Sequence, residues 1–334
     1  MNRASLQVTY EGRDISRAIA PFITSFSYTD HDGGKADDLQ ISLEDCDGLW
    51  KRGWYPAKGA VLKASIHSNF SGKDRVLSCG TFAVDDLDAA GPPDTFTMKA
   101  VSSFTQKSLK REKKSKAWEN ICFEAIARDI SNAHGLNFFY QVDRKIDFIR
   151  LDQREESDLA FLNRICRDYD LNLKISGEKL ILFESRLLEQ APPVFSIVRG
   201  KACVGRYGFS SKTHDVFRAC EVVYFDPESK TEKKFTFTPP DAPAVGQVLK
   251  VNQRVESRSA AVAKAESMLR RKNKQEVTGD FDLMGDTILL AGLTGTVAGW
   301  GVFDGKYIAT KAVHSCSRSQ GYRSNIKIRK VLGW

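Results

Sequence analysis

The sequence has no apolar run long enough to span a membrane, and its first twenty residues are broken by Glu11, Arg13, Asp14 and Arg17. Neither a membrane helix nor a secretory leader is expected, which places synthesis and assembly in a cytoplasm. The cysteines, at 46, 79, 122, 166, 203, 220 and 316, are odd in number and form no CxxC pair. They are expected to be buried free thiols in a reducing compartment. The histidines at 31, 67, 134, 214 and 314 are isolated, and no GxSxG or HExxH motif accompanies them. Phosphate-loop spacing is missing too: Gly301 and Gly305 enclose three residues where four are needed, and Tyr307 follows Lys306 where a Ser or Thr is required. A calcium loop built on Asp45, Asp47 and Gly48 fails because its first and last ligand positions would fall on Leu43 and Trp54. No metal, no cofactor and no catalytic residue is expected.

Methionine is scarce, at 4, whereas Phe numbers 20 and Tyr 9, a balance that favours β-rich cores over helical bundles. At 334 residues the chain exceeds one ordinary domain. A net charge of +8 spread over 28% charged residues of both signs describes an ordinary surface.

Residues 1–104 read as strands: Leu6, Val8 and Tyr10 alternate, as do Leu39, Ile41 and Leu43, then Leu62, Ala64 and Ile66, then Phe96, Met98 and Ala100. Turn signals at His31 to Lys35, Asp45 to Gly48 and Ala90 to Asp94 separate them. Residues 105–190 differ. A basic block comes first, with Lys107, Lys110, Arg111, Lys113, Lys114 and Lys116 against a single Glu112, and reads as a solvated loop or a frayed helix start. Ser115 is expected to cap a helix running through Trp118, Ile126 and Ile130 to Gly135, followed by a strand over Leu136 to Val142.

The most structured local signal follows. Ser157 stands at an N-cap position, Phe161, Leu162, Ile165, Cys166 and Tyr169 form one apolar helical stripe, and the period then drops to two through Leu171, Leu173 and Ile175, a Gly177 turn, and Leu180 to Phe183. A capped helix feeding a hairpin is predicted. Residues 191–334 return to β character, with a helix near 257–274 whose Val262, Ala265, Met268 and Leu269 share a face and whose other side is basic. A hairpin is expected to turn at Asp304-Gly305. Thr287 to Leu290 also reads as part of this tail.

The two β parts look like a diverged repeat: Gly59-Ala60-Val61, Cys79-Gly80-Thr81-Phe82 and the alternating Phe96 to Ala100 are echoed by Gly295-Thr296-Val297, Asp304-Gly305-Lys306-Tyr307 and Ile326 to Arg329.

Gln153, an acidic pair, Ser157-Asp158, Phe161-Leu162, Arg164 and Asp170-Leu171 resemble the signature of phage late control D proteins and of the hub part of VgrG spikes. Arg154 stands at the usual tyrosine, Arg167-Asp168 at the usual acidic pair and Asp170 at the usual glycine. Gly285-Asp286, Gly299 to Tyr307, His314, read as the family's strand-ending His, and Gly321-Tyr322 resemble the end of late control D proteins. The resemblance implies an α+β, mainly β fold: two antiparallel tube-like β-barrel domains, 1–104 and 191–334, flanking a small α/β insert, 105–190. It further implies a non-enzymatic baseplate hub of a contractile phage tail or tailocin, a homotrimer whose six barrels join a hexameric tail tube protein to a trimeric central spike protein. Tape measure and other baseplate proteins are further partners of such a hub, and its place is the virion or tailocin particle. Two other classes are carried beside this one: a nucleic-acid-binding protein using the basic segment 107–116 and the Arg270-Arg271-Lys272 helix end, and a carbohydrate-active enzyme using the Asp85 to Asp88 cluster.

Overall fold

The computed structural model describes residues 3–70, 73–102, 107–226, 230–255 and 257–334. Of Lys107 in the basic block it places the backbone only, and the side chain lies outside the described part.

The alternating segments of the first third become strands whose apolar residues face one core. They are β1 (Arg3–Tyr10), β2 (Arg13–Asp14), β3 (Ile23–His31), β4 (Asp38–Glu44), β5 (Val61–Phe70), β6 (Lys73–Ala90) and β7 (Thr95–Val101), with a one-turn α1 (Ser16–Ile19) after β2. Leu39, Ile41, Leu43, Leu62, Ile66, Phe82 and Phe96 are at most 1% exposed.

The middle third has its own core. It comprises α2 (Lys107–Arg111), β8 (Lys113–Cys122), α3 (Phe123–Ala133), β9 (Asn137–Gln141), β10 (Asp147–Ser157), α4 (Asp158–Asp168), β11 (Leu171–Ser176), β12 (Lys179–Glu184) and α5 (Ser185–Gln190). The predicted capped helix and hairpin are present: the Ser157 hydroxyl accepts from the Ala160 N–H at 3.2 Å, and β11 pairs antiparallel with β12. Phe161, Leu162, Ile165 and Cys166 are buried, worth about 1.5–3 kcal/mol for each large apolar side chain fully covered. The helix expected from Ser115 begins instead after Cys122. Lys113 to Cys122 is a strand, because Lys113, Lys114, Lys116 and Glu119 stand opposite Ser157, Glu156, Gln153 and Arg150 of β10 across a two-stranded sheet.

The last third contains β13 (Phe195–Val198), β14 (Val204–Ser211), β15 (Ala219–Asp226), β16 (Thr231–Phe237), β17 (Val248–Val255), α6 (Arg258–Asn273), β18 (Val277–Met284), β19 (Thr294–Ala298), β20 (Gly305–Ser317) and β21 (Gly321–Lys330). Ser257 caps α6. Thr287 to Leu290 forms no strand, and the turn expected at Asp304-Gly305 is a longer connection through a 3-10 segment, Gly301–Phe303. Strands β15 to β17 and α6 enclose a separate small core.

Strand order unites the two β parts. The first sheet runs β1-β5-β6-β7-β4-β3 and the second β13-β19-β20-β21-β18-β14. Numbered by their sequence within each part, and leaving out β2 and the three-stranded β15 to β17 sheet, both orders are first, fourth, fifth, sixth, third, second. Local detail agrees. In the first sheet Gly59 donates to the Val84 carbonyl at 2.7 Å and the Val84 N–H to Ala60 at 2.9 Å; in the second Gly292 donates to Ala309 at 2.7 Å and Ala309 to Leu293 at 2.9 Å. Gly59 and Gly292 have φ of +83° and +82°, the left-handed backbone that glycine adopts at least cost. An irregularity follows at once in both sheets, between Val84 and Asp86 and between Ala309 and Lys311. Gly80 and Gly305 therefore correspond, as the sequence echo had them, while Gly59 corresponds to Gly292 and not to Gly295. One pairing differs in sense: β1 is antiparallel to β5, and β13 is parallel to β19.

β20 belongs to both sheets. Its start pairs with β19, and its remainder, on the same side, pairs with β3 from Lys311 opposite His31 to Ser317 opposite Ser25. Among the described residues neither sheet closes on itself into a barrel.

Candidate interaction surface

The basic block is distributed over two elements. In α2, Leu109 is fully buried and anchors the turn, leaving Lys110 and Arg111 exposed. On β8, Lys113 is exposed, Lys116 lies over the Trp118 ring at 3.5 Å, and Lys114 turns inward to Asp158 at 2.7 Å. Among the described side chains of the block, Lys110, Arg111, Lys113 and Lys116 are thus left at the surface, and Lys114 is structural.

The residues of the family-like signature form a knot around the start of α4. Gln153 is buried and donates to the Glu156 carbonyl at 3.0 Å and to Asp158 Oδ1 at 2.9 Å. Arg164 holds Glu156 at 2.6 Å and the Asp152 carbonyl at 2.9 Å. Asp170, at the usual glycine, has φ +49° and ion-pairs with Lys274 at 2.6 Å. Gln153, Ser157, Asp158, Phe161, Leu162, Arg164 and Asp170 thus cap, pack or pin.

The sequence missed one constellation here. Ser108 Oγ lies 3.2 Å from His134 Nδ1, and His134 Nε2 lies 2.8 Å from Asp158 Oδ2. A serine hydrolase presents the hydroxyl to Nε2 and the carboxylate to Nδ1, and keeps the carboxylate for the histidine. Here the order is reversed and Lys114 and Gln153 share the carboxylate. Burial pushes the Asp158 pKa up, but the hydrogen bonds from Lys114, His134 and Gln153 outweigh it and leave the pKa below the usual range. The arrangement clamps α2, α3, β8 and α4 together.

His314 is structural as well. It lies inside β20 and not at its end, fully buried, and Nε2 donates to the Leu289 carbonyl at 2.8 Å while Nδ1 accepts from the Tyr322 hydroxyl at 2.8 Å. Asp86 and Asp88 are exposed and share Lys99 at 3.1 and 2.6 Å. Among the described residues no group of three or more His, Cys, Asp or Glu is placed to hold a metal ion, and no helix is long and apolar enough to cross a membrane. Cys46 and Cys203 are exposed, contrary to expectation; Cys79, Cys166 and Cys220 are buried, and burial pushes their thiols up, Cys79 to about 12 and Cys220 to about 11.

Ion pairs fasten the middle third to both sheets. Lys174 reaches Asp30 near the end of β3 at 2.6 Å and Asp37 in the connection between β3 and β4 at 3.1 Å. Lys264 reaches Asp168 at 3.4 Å. Glu189 of α5 takes Arg270 at 2.7 Å and Arg329 at 2.6 Å, all three at most 4% exposed. The face of α6 read as basic is partly buried: Lys264, Arg270 and Asn273 lie inside, and Arg270 also donates to the Trp334 carbonyl.

Two like sheets joined through β20, with an insert pinned to them by ion pairs, define an α+β, mainly β class of protein. Comparison with known proteins agrees in kind. No family model matches the chain. It is 26% identical over 182 residues to a probable baseplate hub protein of Escherichia phage 186, covering 54% of this chain and 45% of that protein. It is 29% identical over 177 residues to the probable baseplate hub protein of Escherichia phage P2, covering 52% and 44%. The matched stretch spans less than half the length of these curated relatives.

Among solved structures, the 43 kDa tail protein of prophage MuSo2 from Shewanella oneidensis superposes with a TM-score of 0.74 at 13% identity, over 98% of each chain. The tail protein from Neisseria meningitidis MC58 gives 0.72 at 12% identity, over 98% of this chain and 96% of that one. A type VI secretion component of E. coli, described as structurally similar to phage T4 tail proteins, gives 0.59 at 10% identity, over 99% and 77%. The resemblance read from Gln153 to Leu171 and from the end of the chain thus leads to relatives of the same kind: phage baseplate hub proteins by sequence, phage tail and VgrG-like proteins by fold.

Proposed function

We propose that this protein is the non-enzymatic hub of a contractile phage-tail or tailocin baseplate, located in the particle. Three copies join a sixfold tail tube to a threefold central spike, with tape measure and other baseplate proteins as neighbours. The reading keeps the division into β units 1–104 and 191–334 around the insert 105–190, each β unit acting as one wall of a tube. The observation that carries it is the repeated strand order together with the β3–β20 junction, which sets two like sheets side by side in one chain. Three such chains present six similar sheets, and so a threefold object acquires six near-equivalent docking surfaces.

The test is the mass of the purified protein in solution, alone and with candidate tube and spike proteins. A trimer that binds both is expected; a strict monomer that ignores both overturns the reading. The exposed cations of the former basic block serve as a docking point for an acidic neighbour in the particle. Lys110→Glu, Arg111→Glu, Lys113→Glu and Lys116→Glu together are expected to leave thermal stability unchanged and to lower incorporation into particles, and unchanged incorporation removes this role.

A further inference from the structure

The correspondence between the sheets runs residue by residue. β3 corresponds to β14: each pairs with the third strand of its sheet, and each is irregular at the same place, between Ile23 and Ser25 and between Val204 and Arg206. β20 corresponds to β6, with matching irregularities. Within the chain, the outer side of β3 is covered by β20, so Tyr28 faces His314 and Asp30 faces Ala312. In the counterparts that coverage is missing. β14 has β18 on one side and no strand on the other among the described residues. The stretch Asp86 to Ala90 of β6 has β7 on one side and, among the described residues, no strand on the other. Each chain therefore carries both halves of a junction it already makes once, and in the sheet order they stand at opposite sides of six intervening strands, β18-β21-β20-β3-β4-β7.

We propose that β14 of one copy adds, antiparallel, to the free side of Asp86–Ala90 in a second copy, with Lys212 opposite Asp86, Ser210 opposite Asp88 and Gly208 opposite Ala90. Register follows from the β3–β20 pairs by the correspondence. Charge supports it where the register places it: Lys212 is exposed opposite Asp86, with Asp85 and Asp88 exposed beside it. Exposure supports it too. Phe26, Tyr28 and His314, which meet across the internal junction, are 5%, 4% and 0% exposed, whereas their counterparts at the open edges include Tyr207, 45% exposed, and Ala89, also exposed. Free strand edges take up another strand readily, because their N–H and C=O groups already point outward. Each copy offers one edge of each kind, so the contact is head to tail and closes when the rotation between copies divides the circle. The inference rests on the assembly reading above and adds which strands meet.

The test uses the full chain with Cys46→Ser and Cys203→Ser to remove the exposed thiols. Ser210→Cys with Asp88→Cys is expected to give covalent dimers and trimers under mild oxidation, and either substitution alone is expected to give none. Separately, Lys212→Glu is expected to weaken self-association about tenfold, and adding Asp86→Lys is expected to restore it. Assembly that persists without the cross-link and ignores the charge swap overturns this interface while leaving the trimer standing. A protein that is monomeric at every concentration overturns both.

Discussion

Asp32 lies partly buried among Asp30, Lys174, Lys274 and Arg329. Burial drives its pKa up, and although the three cations oppose that, the result is about 6 against an ordinary 3.8. A carboxyl whose folded pKa exceeds its unfolded one contributes stability that is complete below the unfolded value and lost as pH rises through the folded value. Asp32→Asn is therefore expected to raise the melting temperature at pH 7.5, with the gain vanishing by pH 4, as thermal melts across that range would read out. Asp158 behaves in the opposite sense: its lowered pKa means that its contribution is present above the ordinary carboxyl range and fades as the solution is acidified below it. Glu189 is the costliest of these residues to lose. Glu189→Ala would leave Arg270 and Arg329 buried without their direct ion-pair partner, at a cost of about 3–5 kcal/mol by urea denaturation. Replacing all three by Leu, Met and Met should recover most of that loss.

At the level of elements, legibility followed the range of the contacts that decide each one. The α4 unit was readable because its cap, its stripe and its hairpin lie within one short stretch. β8 was misread as a helix start because what makes its lysines a strand is the acidic run of β10, with Ser115 meeting Glu155 across 40 positions. The burial of part of the basic face of α6 lay out of reach of local pattern for the same reason: Arg270 finds Glu189 81 positions away, and Glu189 is shared with Arg329 across 140. Local periodicity shows that a residue is polar but not that its partner is buried with it. The matched glycines supply a test. Gly59→Ala and Gly292→Ala each meet no close obstruction, the nearest atom being Leu188 Cδ1 at 3.5 Å from the added carbon at 292, so the cost at both comes from left-handed backbone. Each is expected to lose about 1–2 kcal/mol, and similar losses in denaturant melts would confirm that the two connections are equivalent.

For the whole molecule, the repeat was partly visible in residues, since Gly80 and Gly305 fall at matching places, but its proof is topological. Strand order and paired irregularities survive where side chains have changed from Met98 to Ile326 or from Ile41 to Phe281. What the sequence could not convey is that the halves are not separate: β20 pairs with the edge of the first sheet as well as building the second. That strand is synthesised about 280 positions after its partner, Lys311 against His31, so the flank of β3 stays bare for roughly tens of seconds at ordinary translation rates. On a crowded polysome the finished β20 of a sister chain competes for that gap, giving an exchanged dimer. Holding nascent chains apart, by a chaperone or by slow initiation, should therefore matter more for the yield of this protein than for one whose halves mature independently.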